Sequence, residues 1–145
     1  LRFAEDAEAA LETRCKIFPA LRDIRHPLLD AVRQTEGDVI TYLMKLLAIS
    51  CRELGLPFEV LRTTTLQIPN AFTGQDRVLE VCRQLNADRY INLAGGRLLY
   101  DPQEFARSGV ELSIFEEWRG SQWSILYRLL TEPAGQVAAE IKYQA

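Results

Sequence analysis

The chain has 145 residues, 48% of them hydrophobic and 26% charged, ordinary values for one folded domain with a core of its own. Its formal net charge is -3, so no positive field offsets a nucleic-acid backbone, and nucleic acid is excluded as the main partner. No apolar run approaches the roughly 20 residues of a membrane span. Cys15, Cys51 and Cys82 lie far apart in apolar stretches and outside any CxxC pair, which reads as reduced core thiols in a cytoplasmic protein.

The chain opens at Leu1 without a Met, and Leu1 to Leu11 reads as helix already under way, so an upstream segment is expected. The first half is helical: Phe3 to Cys15, Pro19 to Arg33, and Asp38 to Leu54, where Val39, Leu43, Leu46, Leu47 and Leu54 recur on one face. Gly55 stands where a left-handed C-cap is wanted, Pro57 forbids continuation, and Phe58 to Thr63 then reads as a first strand. A helix over Thr73 to Leu85 follows, with Val78, Val81, Cys82 and Leu85 inward, then a strand over Arg89 to Leu93 and a break at Gly95-Gly96.

Asp101-Pro102-Gln103-Glu104 opens a short helix with Asp101 as N-cap, Pro102 at the first helical position and Glu104 in the capping-box place. Gly109 closes it, Val110 to Phe115 is a third strand, and a last helical region from Gln122 breaks and restarts at Pro133. The expected fold is therefore α/β: a small parallel β-sheet with helical crossovers, preceded by an N-terminal helical region. The chain reads as a single α/β domain, part of a longer protein, with a helical part over 1–55 and a strand-helix-strand part over 56–145.

In parallel sheets a ligand lies beyond the carboxyl ends of the strands. Three segments should converge there: Thr63-Thr64-Thr65, Gly74 to Arg77 at a helix start, and Asn92 to Arg97. A helix start offers unpaired N–H groups, Gln75 and Arg77 add donors, the glycine pair lets a ligand approach the backbone, and Arg97 is a second guanidinium. The site predicted from this convergence comprises Thr64, Gln75, Asp76, Arg77, Asn92, Gly95, Gly96 and Arg97, holding a small molecule with a phosphate or carboxylate. Taken singly, each has a plainer reading. Asp76 complements the helix dipole, Arg77 pairs with a surface carboxylate, and Gly95-Gly96 is a turn pair, of a kind that needs positive φ in about half of cases. Glu116 and Glu117 follow the third strand at the same edge, Trp118 and Trp123 read as packing anchors, and the single histidine, His26, reads as structural. No metal-ligand spacing, nucleophile elbow or cofactor motif occurs.

Gly74-Gln75-Asp76-Arg77-Val78, Cys82, Tyr90-Ile91-Asn92 with Gly95-Gly96, Leu99-Tyr100-Asp101, Phe105, Gly109 to Leu112 and Ser124-Ile125 together resemble the WbqC-like family of bacterial surface-polysaccharide gene clusters, in order and spacing over about Asp38 to Leu130. The family's N-terminal Gln-Pro-aromatic motif and Asp-Asp strand have no counterpart here. The resemblance implies a transferase of O-antigen biosynthesis that moves an aminoacyl, glycine-type group onto a nucleotide-linked amino sugar, so the expected ligand is a phosphate-bearing sugar. It assigns no catalytic residue, metal or cofactor. Two departures favour the alternative, a noncatalytic binding module that keeps the fold. Ser124-Ile125-Leu126-Tyr127 replaces the family's Ser-Ile-Ile-Asp, and the stretch from Phe115 to Ser124 is short.

Overall fold

His26 precedes a proline, which holds it in the extended region, and its Nδ1 accepts the backbone N–H of Leu28 at 3.1 Å. The histidine thus caps a helix, and that helix starts at Pro27 rather than at Pro19. The computed structural model describes residues 9, 10, 13, 21, 24–35 and 37–144. Of the helix expected over Phe3 to Cys15, Ala9, Ala10 and Thr13 are described and helical; Cys15 lies outside the described residues.

Along the chain run α1 (Pro27–Arg33), α2 (Val39–Glu53), a 3-10 turn (Thr63–Thr65), α3 (Gly74–Leu85), β1 (Arg89–Asn92), a 3-10 segment (Ala94–Leu99), α4 (Pro102–Arg107), β2 (Glu111–Ile114), α5 (Ile125–Thr131) and α6 (Ala134–Gln144). They fall into two compact units, one joining Leu1–Glu59 to Gly120–Gln144 and the other comprising Val60–Arg119. No described helix is long and apolar enough to cross a membrane.

The first unit is helical. The Asp38 carboxylate accepts the Thr41 N–H at 2.9 Å and starts α2; these bonds hold its pKa below the ordinary carboxylate value. Gly55, at φ 65°, ends it in the left-handed conformation expected of a C-cap glycine. The core is Leu28, Ala31, Leu46, Leu54, Leu129 and Val137. The inward row of α2 differs from the expected one: Tyr42, Leu46, Ile49 and Ser50 face the core, whereas Leu43 and Leu47 are exposed. Tyr42 donates its hydroxyl to the Val32 carbonyl at 2.8 Å, and Ser50 donates to that of Leu46 at 2.9 Å. Polar side chains therefore took part of the buried row because the backbone satisfies them locally.

Arg128 is buried in the same unit, its side chain 5% exposed. Its Nη2 donates to Glu132 at 2.8 Å and Glu140 at 2.6 Å, and Glu140 also accepts the Ser121 N–H at 2.8 Å. The guanidinium thereby clamps α5 to α6 and to the turn before α5, and it holds both carboxyls below the usual glutamate range. Trp123 is 63% exposed, its ring on Tyr127 at 5.3 Å, and Trp118 is exposed as well. Neither tryptophan is the buried anchor expected.

The second unit holds the sheet: β1 and β2 pair in parallel, Arg89 opposite Glu111 and Asn92 opposite Ile114. One face packs on α3 and α4 through Cys82, Phe105 and Val110, with Val78, Leu79, Tyr90 and Leu112 against them. Leu79 replaces Leu85 in the inward row of α3, and Leu85 is exposed. Cys82 is buried, but Cys51 is only half-buried; both are free thiols. Asp101 accepts the Gln103 N–H at 2.9 Å and caps α4 as expected, whereas Glu104 pairs with Arg107 instead of closing a capping box.

The expected strand over Phe58 to Thr63 is absent. That segment has no ladder partner and runs into the 3-10 turn. Val60 and Leu61, 51% and 53% exposed, are adjacent, so a strand could have buried only one of them. The sheet has two strands, not three.

Candidate site at the carboxyl edge of the sheet

α4 crosses over from β1 to β2 and so begins beyond the carboxyl end of β1, while α3 precedes β1 and ends where that strand begins. The structure joins the starts of the two helices. Gln75, in the first turn of α3, accepts the backbone N–H of Asp101 through its Oε1 at 2.6 Å. Gln75 is therefore a strut, with only its amide NH₂ left to donate.

Asp76 and Arg77 follow in the same turn. Asp76 is exposed and Arg77 half-buried, and among the described residues neither side chain has a hydrogen-bond or ion-pair partner. The surface-pair reading of Arg77 is thus not realised, and a guanidinium remains free at a helix start. Glu104, by contrast, is taken up by Arg107.

At the end of β1, the Oδ1 of Asn92 accepts the Leu93 N–H at 2.8 Å, and the Gly96 N–H donates to the Leu93 carbonyl at 2.8 Å. The Asn92 side chain lies over Gly96: a Cβ there would fall 2.9 Å from Asn92 Cγ and closer still to Nδ2. Gly96 is a close-approach glycine, but what approaches it is Asn92. Both glycines lie in the 3-10 segment, a turn as read, and neither has positive φ; Gly95 faces open space. Arg97 is exposed beside them without an ion pair.

Tyr90, Tyr100 and Phe105 pin the loop between β1 and α4 from beneath, with ring centroids 5.5–5.6 Å apart. The hydroxyls of Tyr90 and Tyr100 meet at 3.2 Å, and burial together with that contact pushes Tyr90 up to about 12. Both rings fall in stretches singled out in the sequence, yet nothing in their spacing told that they meet. That contact depends on how the 3-10 segment folds back.

Thr64 lies in the 3-10 turn Thr63–Thr65, not at the end of a strand. Gln67, three residues later, donates its N–H to Gln84 at 3.2 Å and accepts from the same side chain at 3.0 Å. Gln84 lies in the last turn of α3, about 15 Å along the helix from Gly74. The segment before α3 is thus docked at its far end, which follows from the missing first strand.

Gln75, Asp76 and Arg77 thus stand on one helix start, which Gln75 ties to Asp101, and Asn92, Gly95, Gly96 and Arg97 stand on the loop after β1. Glu116 and Glu117 follow β2, both exposed. Among the described residues no group of three or more His, Cys, Asp or Glu side chains could hold a metal ion. Chemically the edge offers the guanidinium groups of Arg77 and Arg97 and a helix start as donors to an anion, set beside the carboxylates of Asp76, Glu116 and Glu117. No curated protein and no solved structure matches the chain. The profile described as the WbqC-like protein family matches residues 4–127, reaching further upstream than the stretch from Asp38 on which the resemblance was first read.

Proposed function

Because the chain belongs to the WbqC-like protein family, we propose that it is a transferase of bacterial surface-polysaccharide (O-antigen) biosynthesis that moves an aminoacyl, glycine-type group onto a nucleotide-linked amino sugar. The observation that carries the reading is the free Arg77 at the start of α3, where the Gln75 bond to Asp101 brings a second helix start alongside. A phosphate-bearing ligand would find oriented N–H groups, a guanidinium and the polar loop of Asn92 to Arg97. The free thiols of Cys51 and Cys82 favour a cytoplasmic setting, where such activated sugars are made.

A second reading, a binding module without turnover, is favoured by Tyr127. Where the family carries an acid, this chain has a phenol with its ring on Trp123.

Calorimetric titration with a uridine-diphosphate amino sugar tests the site. Arg77→Ala should keep the fold and lose roughly ten- to a hundredfold in affinity, the worth of one charge-assisted contact. Unchanged affinity in a folded variant sinks the site. Binding with no transfer from any aminoacyl donor selects the module.

A further inference from the structure

We propose that the flank of α3 in the second unit is a pocket for a small amphipathic amine, an apolar body with one cationic head, apart from the loop after β1. A cavity of about 570 Å³ lies there, within the roughly 300–1,000 Å³ of small-molecule sites. Its apolar wall is formed by Phe72, Leu79, Ala87, Val110 and the thiol of Cys82.

The charge on the rim selects the head group. Arg83 and Glu80 also line the cavity, but they consume each other: Arg83 Nε and Nη2 donate to the two Glu80 oxygens at 2.8 and 2.7 Å, and Gln84 adds a third bond at 2.7 Å. Asp76 is the lining charge left without a partner. No side-chain donor among the described residues occupies its oxygens. One uncompensated negative charge beside an apolar wall fits a cation with a hydrocarbon body and repels an anion of the same shape. Cys82 keeps the wall apolar, because burial pushes its thiol up and leaves it protonated near neutrality.

Cys82 also reports occupancy. The intact protein is alkylated with iodoacetamide and the rate at Cys82 followed by peptide mass spectrometry, with phenethylamine or with hydrocinnamate, which has a similar body and the opposite charge. Phenethylamine should slow alkylation of Cys82 and leave Cys51, in the other unit, unchanged; hydrocinnamate should protect neither. Asp76→Asn should weaken the protection about two- to fivefold, the range for an exposed charge pair. Asp76 belongs to both proposed sites, so Ser108→Trp, on the cavity rim alone, separates them. It should abolish amine protection and leave nucleotide-sugar affinity intact. Phe72→Ala guards against a misfolded tryptophan variant and should likewise weaken protection. Absence of protection by phenethylamine, or equal protection by hydrocinnamate, overturns the proposal whatever the fate of the sugar site.

Discussion

At the scale of single residues, Gly96 and Asn92 are one feature. The asparagine amide occupies the space that a side chain at position 96 would need, while its Oδ1 holds the Leu93 N–H. Gly96→Ala has no backbone penalty, since Gly96 lacks a positive φ; its cost is overpacking, about 1–3 kcal/mol. Asn92→Ala loses a hydrogen bond worth roughly 1 kcal/mol and clears the space. The double variant should therefore be more stable than the two single costs added together predict, as read from urea unfolding of all four proteins. Additive costs would mean that the loop, and not the amide, fills the space. The glycine pair was visible in the sequence as a special place in the backbone. What it was special for depended on where the Asn92 side chain turned, which no spacing encodes.

At the scale of elements, the Arg128 clamp joins two helices and a turn through one buried guanidinium. Glu132 and Glu140 titrate below the ordinary value of 4.5, drawn down chiefly by their bonds to Arg128. For carboxyls lowered in the folded state, the stabilisation is complete above the unfolded value and is lost as pH falls through the folded one. Arg128→Met should therefore lower the Tm by several degrees at about pH 7, where two partly buried carboxylates lose their cation, and by progressively less as the pH falls below the ordinary glutamate value and the carboxyls take up protons. Thermal melts followed by circular dichroism decide it; an equal loss across that pH range would assign the effect to packing alone. The sequence showed a helix broken at Pro133, and it was: α5 ends at Thr131 and α6 begins at Ala134. The Arg128 to Glu132 spacing is a common surface pattern on helices, so its burial against Glu140 had no local signature.

At the scale of the whole molecule, the first unit is built from two stretches of chain, with Val60–Arg119 set between them in sequence. Its core draws on both stretches, Leu28, Ala31, Leu46 and Leu54 from one and Leu129 and Val137 from the other. Replacing Val60–Arg119 by a flexible glycine-serine linker should leave a helical protein with a cooperative thermal transition. A broad, non-cooperative melt would mean that the units fold only as one, in keeping with the single domain read from the sequence. Much of the local chemistry was legible. The cap at Asp101, the left-handed Gly55 and the positions of β1 and β2 all follow from turn residues and apolar periods that act within a few residues. So did the α/β class and the placing of Gln75, Asp76, Arg77 and Asn92 to Arg97 near helix starts and strand ends. Tertiary structure alone decided the rest: that Phe58 to Thr63 finds no ladder, that Gln67 docks on Gln84 at the far end of α3, that Leu43 and Leu47 face out, and that Gln75 is a strut while Arg77 is free. The reason is physical. A cap or a turn is satisfied by neighbours in sequence, whereas a strand, a buried face or an unpaired charge is defined by what the fold brings from far along the chain.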